Sequence, residues 1–240
     1  MGAAARCEDE RSFRRDRNRE EPSGVMAGTV TGYHAAHLPE DPARATVWRV
    51  IAGHLASWVP PNAHVLEIGA GYCDWINNVS AARRVAVDVW PDFARYAARD
   101  VQPVVMDASR GLRSLGESVF DVVLASNVLE HFAPDTAASV VRDVAALLKP
   151  GGRIVIVQPN FRYAWRRYFD DYTHRAVFTD VSLPALLRAH GFRIDLVQPR
   201  FLPYSIHGAT MPIRPWIVRA YLRSPVKPMA GQMLVVAHKG

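Results

Sequence analysis

An α/β domain built on a doubly wound, largely parallel sheet is the fold class this chain predicts, and three observations carry it. From residue 64 onward, short β-branched runs alternate with helix-period segments, the pattern of a parallel sheet covered on both faces. About seven such runs can be counted. The first, "HVLEI" at 64–68, ends in a Gly-x-Gly turn before a predicted helix, a place suited to a ligand.

At 240 residues, 49% hydrophobic and 22% charged, the chain fits a single domain with a real core. Residues 1–25 set six Arg against six acids and hold almost no large apolar residue. Such a segment cannot offset its ordering entropy, so a disordered N-terminal extension, dispensable to the fold, is expected there. Residues 26–60 are predicted to form an N-terminal helical cap. From Pro42, the residues Val47, Val50, Ile51, Leu55 and Trp58 share one helical face, and "PPN" ends the helix. The domain proper, 61–240, continues with strand 64–68, a helix from about 74, strand 84–89, helix 91–99, and strands 102–106 and 119–125. Helix 135–148 and strand 152–158 follow, separated by "KPGG", a helix stop and turn signal. Helix 181–190, strand 192–198, helix 212–223 and strand 232–238 complete the domain.

Composition also excludes some classes of function. No run approaches the ~18 apolar residues of a membrane span, and the N-terminus lacks a signal-peptide core, so cytoplasmic residence is expected. Cys7 and Cys73 cannot make a disulfide framework. The net charge is +6, yet residues 1–25 are neutral and the excess is scattered, with one small cluster at Arg162, Arg166, Arg167 and Arg175. That is too diffuse for a nucleic-acid footprint. A small-molecule partner is expected, with no nucleic acid, and the chain as monomer or homodimer.

The chemistry gathers where predicted strands end. In "EIGAGYCDW", Gly69 and Gly71 allow close backbone approach, and Asp74 stands near the cap of a helix whose N–H groups could meet an anionic ligand end. The second strand ends in "AVDVW", placing Asp88 where a ribose-binding carboxylate belongs. The third ends in "VVMDAS", placing Asp107 within reach of an adenine amine.

In this order and spacing the motifs resemble those of class I S-adenosylmethionine-dependent methyltransferases. "VLEIGAGYCDW" is similar to the family's E/D-x-G-x-G-x-G motif, with Cys73 at the third glycine; "AVDVW", "VVMDAS", "FDVVLASNVLEHF" and "LLKPGGRIVIVQPN" resemble the later ones. The resemblance implies a Rossmann-like sheet of order 3-2-1-4-5-7-6 with strand 7 antiparallel, and S-adenosylmethionine as cofactor, leaving S-adenosylhomocysteine. It implies that Glu67, Gly69, Ala70 and Gly71 hold the methionine end. Asp88 would take the ribose, with Val89 and Trp90 beside the adenine. Asp107 and Ala108 would reach the adenine edge, and Asn127 would lie near the sulfonium. Cys73 reads as a tolerated third position.

Catalytic candidates lie in two stretches. His131, just past strand four, is the first choice for a base; His174 and Asp171 are alternatives. Glu130 and His131 could ligate Mg²⁺, as in some related O-methyltransferases, but two adjacent residues assign no metal site. Segment 158–180 reads as a lid, its Phe161, Arg162, Tyr163, Tyr168 and Tyr172 serving as substrate contacts. Tyr204 and His207, and on the N-terminal side Tyr33 and His34, could close the pocket.

"SNVLEHF" lacks the Asn/Asp-Pro-Pro-aromatic tetrapeptide seen in DNA base amino-methylases, which favours a small acceptor, most simply a hydroxyl of a secondary metabolite or saccharide. N- or C-methylation, a non-catalytic cofactor-binding subunit, and a nicotinamide dehydrogenase using Asp88 are the alternatives.

Overall fold

The computed structural model describes residues 40–204 and 214–240. The predicted extension 1–25, residues 26–39 of the cap, and the candidates Tyr33, His34 and His207 lie outside the described residues.

Helix α1 (Pro42–Leu55) starts where Asp41 caps it, the carboxylate accepting from the Ala43 N–H at 2.8 Å with Pro42 at the first turn. It buries Val47, Val50, Ile51, Ala52 and Leu55. Seven strands follow: β1 (His64–Ile68), β2 (Arg83–Asp88), β3 (Val101–Val105), β4 (Phe120–Ser126), β5 (Leu148–Pro159), β6 (Phe192–Pro203) and β7 (Ala230–Lys239). Their order is β3-β2-β1-β4-β5-β7-β6, as the motifs imply. β7 runs antiparallel to both β5 and β6, and the other pairs are parallel. Further helices are α2 (Pro134–Leu147), α3 (Phe161–Ala164), α4 (Ser182–Ala189) and α5 (Pro215–Arg223).

The sheet divides the core in two because successive residues of a strand point to opposite faces. Leu66, Val85, Val123, Ile154 and Val235 pack with α2 and α4. Val65, Ala86, Val122, Val155 and Leu234 pack with α1 and α5.

Three predicted elements differ in the structure. The helix expected from about 74 is a series of hydrogen-bonded turns over 71–78. Cys73 is left-handed (φ 57°), the Ile76 N–H goes to the Glu67 carboxylate, and the Asn77 and Asn78 side chains bond backbone carbonyls. Each of these bonds competes with a regular helix. Helix 91–99 is a 3₁₀ helix, Pro91–Tyr96. "KPGG" is an irregularity at the start of β5, whose pairing with β4 shifts between Phe120–Leu148 and Val122–Arg153.

At Gly69 the backbone sits at φ +69°, and an added Cβ would lie 2.4 Å from Val128 Cγ2. Left-handed strain and overpacking together predict that Gly69→Ala costs about 2–4 kcal/mol. The measurement is the urea midpoint; an unchanged midpoint would mean the β1 turn and Val128 can separate at no cost.

Candidate functional site

The carboxyl ends of β1 to β5 lie along one edge of the sheet, and the loops leaving them build the site. The loop after β1 is fastened to β2: the Gly69 and Ala70 N–H groups both donate to the Val87 carbonyl (2.8 and 3.1 Å). Asp88, last residue of β2, accepts from the Gly71 N–H through Oδ2 (2.7 Å) and from the Trp90 N–H through Oδ1 (2.8 Å). Glu67 is buried one residue before the end of β1 and accepts from the Ile76 N–H (3.0 Å). Burial pushes its carboxyl well above the ordinary range.

Cys73 stands in the left-handed conformation that favours glycine, which explains why a glycine is at home at the third position of such a loop. The strain costs roughly 1–2 kcal/mol. It is offset by a fully buried side chain packed in the cluster that holds Trp75, Ile76 and Phe93. Burial, reinforced by the Glu67, Asp88 and Asp74 carboxylates, pushes the thiol up to about 12. Asp74 caps no helix; it pairs with Arg44 of α1 at 2.7 Å and ties the loop to that helix.

Beyond β2, Val89 is exposed while Trp90 is buried edge-on against Tyr72, with ring centroids 5.3 Å apart. Tyr96 completes this aromatic group and Arg44 lies over the Tyr72 ring. Neither tyrosine stands out in the sequence, because nothing local marks an aromatic that meets a partner from another loop. After β3, Asp107 turns its own chain by accepting from the Ser109 N–H, and Ala108 is buried. Asn127 follows β4 in a left-handed conformation, exposed, its side-chain amide donating to the Ser126 hydroxyl.

A second group forms where the segment after β5 folds back over the end of β4. The Glu130 carbonyl accepts from both the Arg175 and Ala176 N–H groups (2.7 and 3.1 Å). This brings His131 and His174 together, ring centroids 4.9 Å apart, and Tyr168 to 4.5 Å from His174. Asp171 accepts from the Thr173 hydroxyl at 2.6 Å, and Thr173 meets His131 Nδ1 at 2.8 Å. All three predicted catalytic residues therefore belong to one cluster. Thr173, which links two of them, carries no signal in the sequence.

Burial sets the electrostatics of the cluster. It pushes the Glu130 carboxyl up to about 8, opposed by nearby backbone N–H groups and aided by the Asp171 charge. It lowers His131 to about 4, helped by His174 and resisted by Asp171, and lowers His174 as well. Both rings are neutral near pH 7.

The predicted substrate contacts separate. Tyr168 is fully buried and donates its hydroxyl to the Ala176 carbonyl, so it props the segment from within and presents no open surface. Phe161 packs edge-on against it. Arg162, paired with Asp180, and Tyr163, under Arg200, are exposed, as is Tyr172. Tyr163 and Tyr204 help line an open groove of about 400 Å³ with Trp165, Arg166, Arg167 and Met229. Tyr204 joins groove to cluster, its hydroxyl donating to the Tyr168 carbonyl (3.4 Å) that His174 Nδ1 also meets (2.6 Å).

A protein-family model described as a methyltransferase domain matches residues 6–197. The chain belongs to the S-adenosylmethionine-dependent methyltransferases. Solved structures of the same fold accompany this methyltransferase. A Thermotoga maritima S-adenosylmethionine-dependent methyltransferase, described as a possible histamine N-methyltransferase, is 17% identical, covering 90% of this chain and 99% of its own, with a TM-score of 0.61. An Archaeoglobus fulgidus S-adenosylmethionine-dependent methyltransferase is 20% identical over 80% of this chain and 94% of its own (TM-score 0.59). The Burkholderia thailandensis 1,6-didemethyltoxoflavin-N1-methyltransferase, solved with bound 1,6-didemethyltoxoflavin and S-adenosylhomocysteine, is 24% identical over 93% of this chain and 92% of its own (TM-score 0.57). No curated protein sequence matches. The dehydrogenase alternative gives way to the family match. No helix among the described residues of the methyltransferase is long and apolar enough to cross a membrane.

The Cys73 environment predicts an inert thiol. In a Cys7→Ser background, a thiol-alkylating reagent at pH 8 should leave the native protein unlabelled and label it stoichiometrically once unfolded, read by intact mass. Rapid native labelling would contradict the burial described for this loop.

Proposed function

We propose that the chain methylates a hydroxyl oxygen of a small molecule, with the acceptor drawn to the cluster at the end of β4. The observation that carries this reading is a pair of neutral imidazoles beside a buried carboxyl where the segment after β5 crosses that strand end. Exposed aromatics on the same segment (Tyr163, Trp165, Phe169 and Tyr172) would stack on an aromatic or sugar ring.

The donor set of the strand ends fits the cofactor. Each Asp88 oxygen holds one N–H, and a carboxylate has about four lone-pair sites, so capacity remains for two ribose hydroxyls. Glu67, with the Gly69-Ala70-Gly71 turn beside it, would meet the methionine end, and Val89, Trp90, Asp107 and Ala108 the adenine, with Asn127 nearest the sulfonium. When bound, S-adenosylmethionine supplies a methyl group made electrophilic by its positive sulfur. The protein's task is then to hold the acceptor in line, a contribution of about 7–11 kcal/mol in favourable cases. His131 and His174 would accept hydrogen bonds from the hydroxyl. A ring lowered to about 4 holds a hydroxyl better than it takes the proton, and Asp171, acting through Thr173, would stabilise any positive charge that reaches His131.

N-methylation is the second reading, favoured by the names of the Thermotoga and Burkholderia relatives. Labelled S-adenosylmethionine offered with panels of phenols, catechols, sugars and amines separates the two; NMR of the product shows whether the new methyl carbon is bonded to oxygen or nitrogen. Methyl on nitrogen alone would overturn the O-methylation reading. Asp88→Ala is expected to weaken S-adenosylmethionine binding at least about tenfold by calorimetry, through loss of charge-assisted hydrogen bonds. His131→Ala should leave that binding unchanged and lower kcat by about 100-fold or more; unaltered kcat would remove His131 from the reaction.

A further inference from the structure

We infer that Glu130, His131 and His174 form a binding site for one divalent transition-metal ion. One ligand atom from each lies within 4.8 Å of the other two. Glu130 is fully buried, and among the described residues neither of its carboxylate oxygens has a hydrogen-bond partner. A charged carboxylate buried this way is costly, and a cation held between it and two imidazoles removes that cost.

The hydrogen bonds fix the tautomer of both rings. A carbonyl only accepts, so His174 Nδ1, at 2.6 Å from the Tyr168 carbonyl, carries the hydrogen. The Thr173 hydroxyl gives its one hydrogen to Asp171, so it accepts from His131 Nδ1. In each neutral ring the lone pair therefore sits on Nε2. A backbone carbonyl behind one histidine, and a hydroxyl anchored on a carboxylate behind the other, are the supports that orient metal-ligating imidazoles.

The donor set selects the ion. Two imidazole nitrogens and one carboxylate suit Zn²⁺ and its first-row neighbours, whereas Mg²⁺ favours oxygen. Glu130 and His131 alone assign no metal site; His174 supplies the third ligand and makes the set nitrogen-rich. Ligands about 2.1 Å from a tetrahedral ion stand roughly 3.4 Å apart, so the three side chains need draw in by no more than about 1.4 Å. Three protein ligands leave a further coordination position, which suits an acceptor oxygen; with the ion bound, this position replaces the hydrogen bonds that the two Nε2 atoms would otherwise accept from the hydroxyl. That last assignment rests on the O-methylation reading, whereas ion binding does not.

The test titrates the chelator-stripped full chain with Co²⁺ and then Zn²⁺. Expected are one Co²⁺ per chain, the intense visible bands of a four-coordinate nitrogen–oxygen site, and displacement by Zn²⁺. Two solvent-exchangeable proton resonances, one per Nδ1–H, should be shifted by the paramagnetic ion. His174→Ala and Glu130→Gln should each lower Zn²⁺ affinity at least about 100-fold. His238→Ala, which removes an imidazole paired with Asp195, should not change it. Wild-type affinity equal to that of His174→Ala overturns the site. Co²⁺ bound to wild type without the shifted imidazole protons also overturns it, and that readout needs no variant to fold. An ion bound as described in an enzyme that methylates only nitrogen would refute O-methylation and leave the site standing.

Discussion

The Asp88 carboxylate is the constraint on which the loop side of the site depends. It ends β2, and its two oxygens hold the N–H groups of Gly71, from the loop after β1, and Trp90, from the loop after β2. Two loops from neighbouring strands are thereby set against each other by one side chain. The first also hangs from the Val87 carbonyl, one residue earlier on the same strand. Charge-assisted bonds to a buried carboxylate are strong, so the arrangement is rigid before any ligand arrives. Its left-handed positions, Gly69, Gly71 and Cys73, follow from this fastening: the chain must leave β1, touch β2 and turn back within a few residues.

The opposite wall is built on another economy of backbone bonding. A single carbonyl, that of Glu130, receives two N–H groups from the crossing segment and fixes where His174 falls relative to His131. Asn160 anchors the start of the same segment, its side chain donating to Asp180 and to the Pro199 carbonyl of β6. The segment is thus pinned at both ends to the sheet's rim, with the fully buried Tyr168 as its internal support.

Strand positions and the acids at their ends were legible in the sequence, since apolar runs and turn residues report what each strand must bury and where it stops. The strand order was legible only through the resemblance of the motifs to a family. The region after the first loop was not. Its residues can form a helix, yet Cys73, Asn77, Asn78 and the Glu67 carboxylate divert the backbone into turns, a tertiary choice with no local mark. Likewise, His131, Asp171 and His174 each suggested chemistry singly. Their meeting depends on a chain crossing, and Thr173, which couples two of them, looks like any surface threonine until the fold is known. Tyr168 resembled its aromatic neighbours in sequence and differs from them only in being buried.

The carbonyl of Tyr168 is a small feature with a wide reach. Its oxygen takes the Nδ1 hydrogen of His174 on one side and the Tyr204 hydroxyl on the other. Tyr204 follows the last residue of β6 and borders the open groove, while His174 belongs to the buried cluster. One peptide plane therefore serves as a rivet between the wall of the open groove and the orientation of a ring in the cluster. A group that displaced the Tyr204 hydroxyl from the groove side would therefore act on the same oxygen that sets the aim of the imidazole.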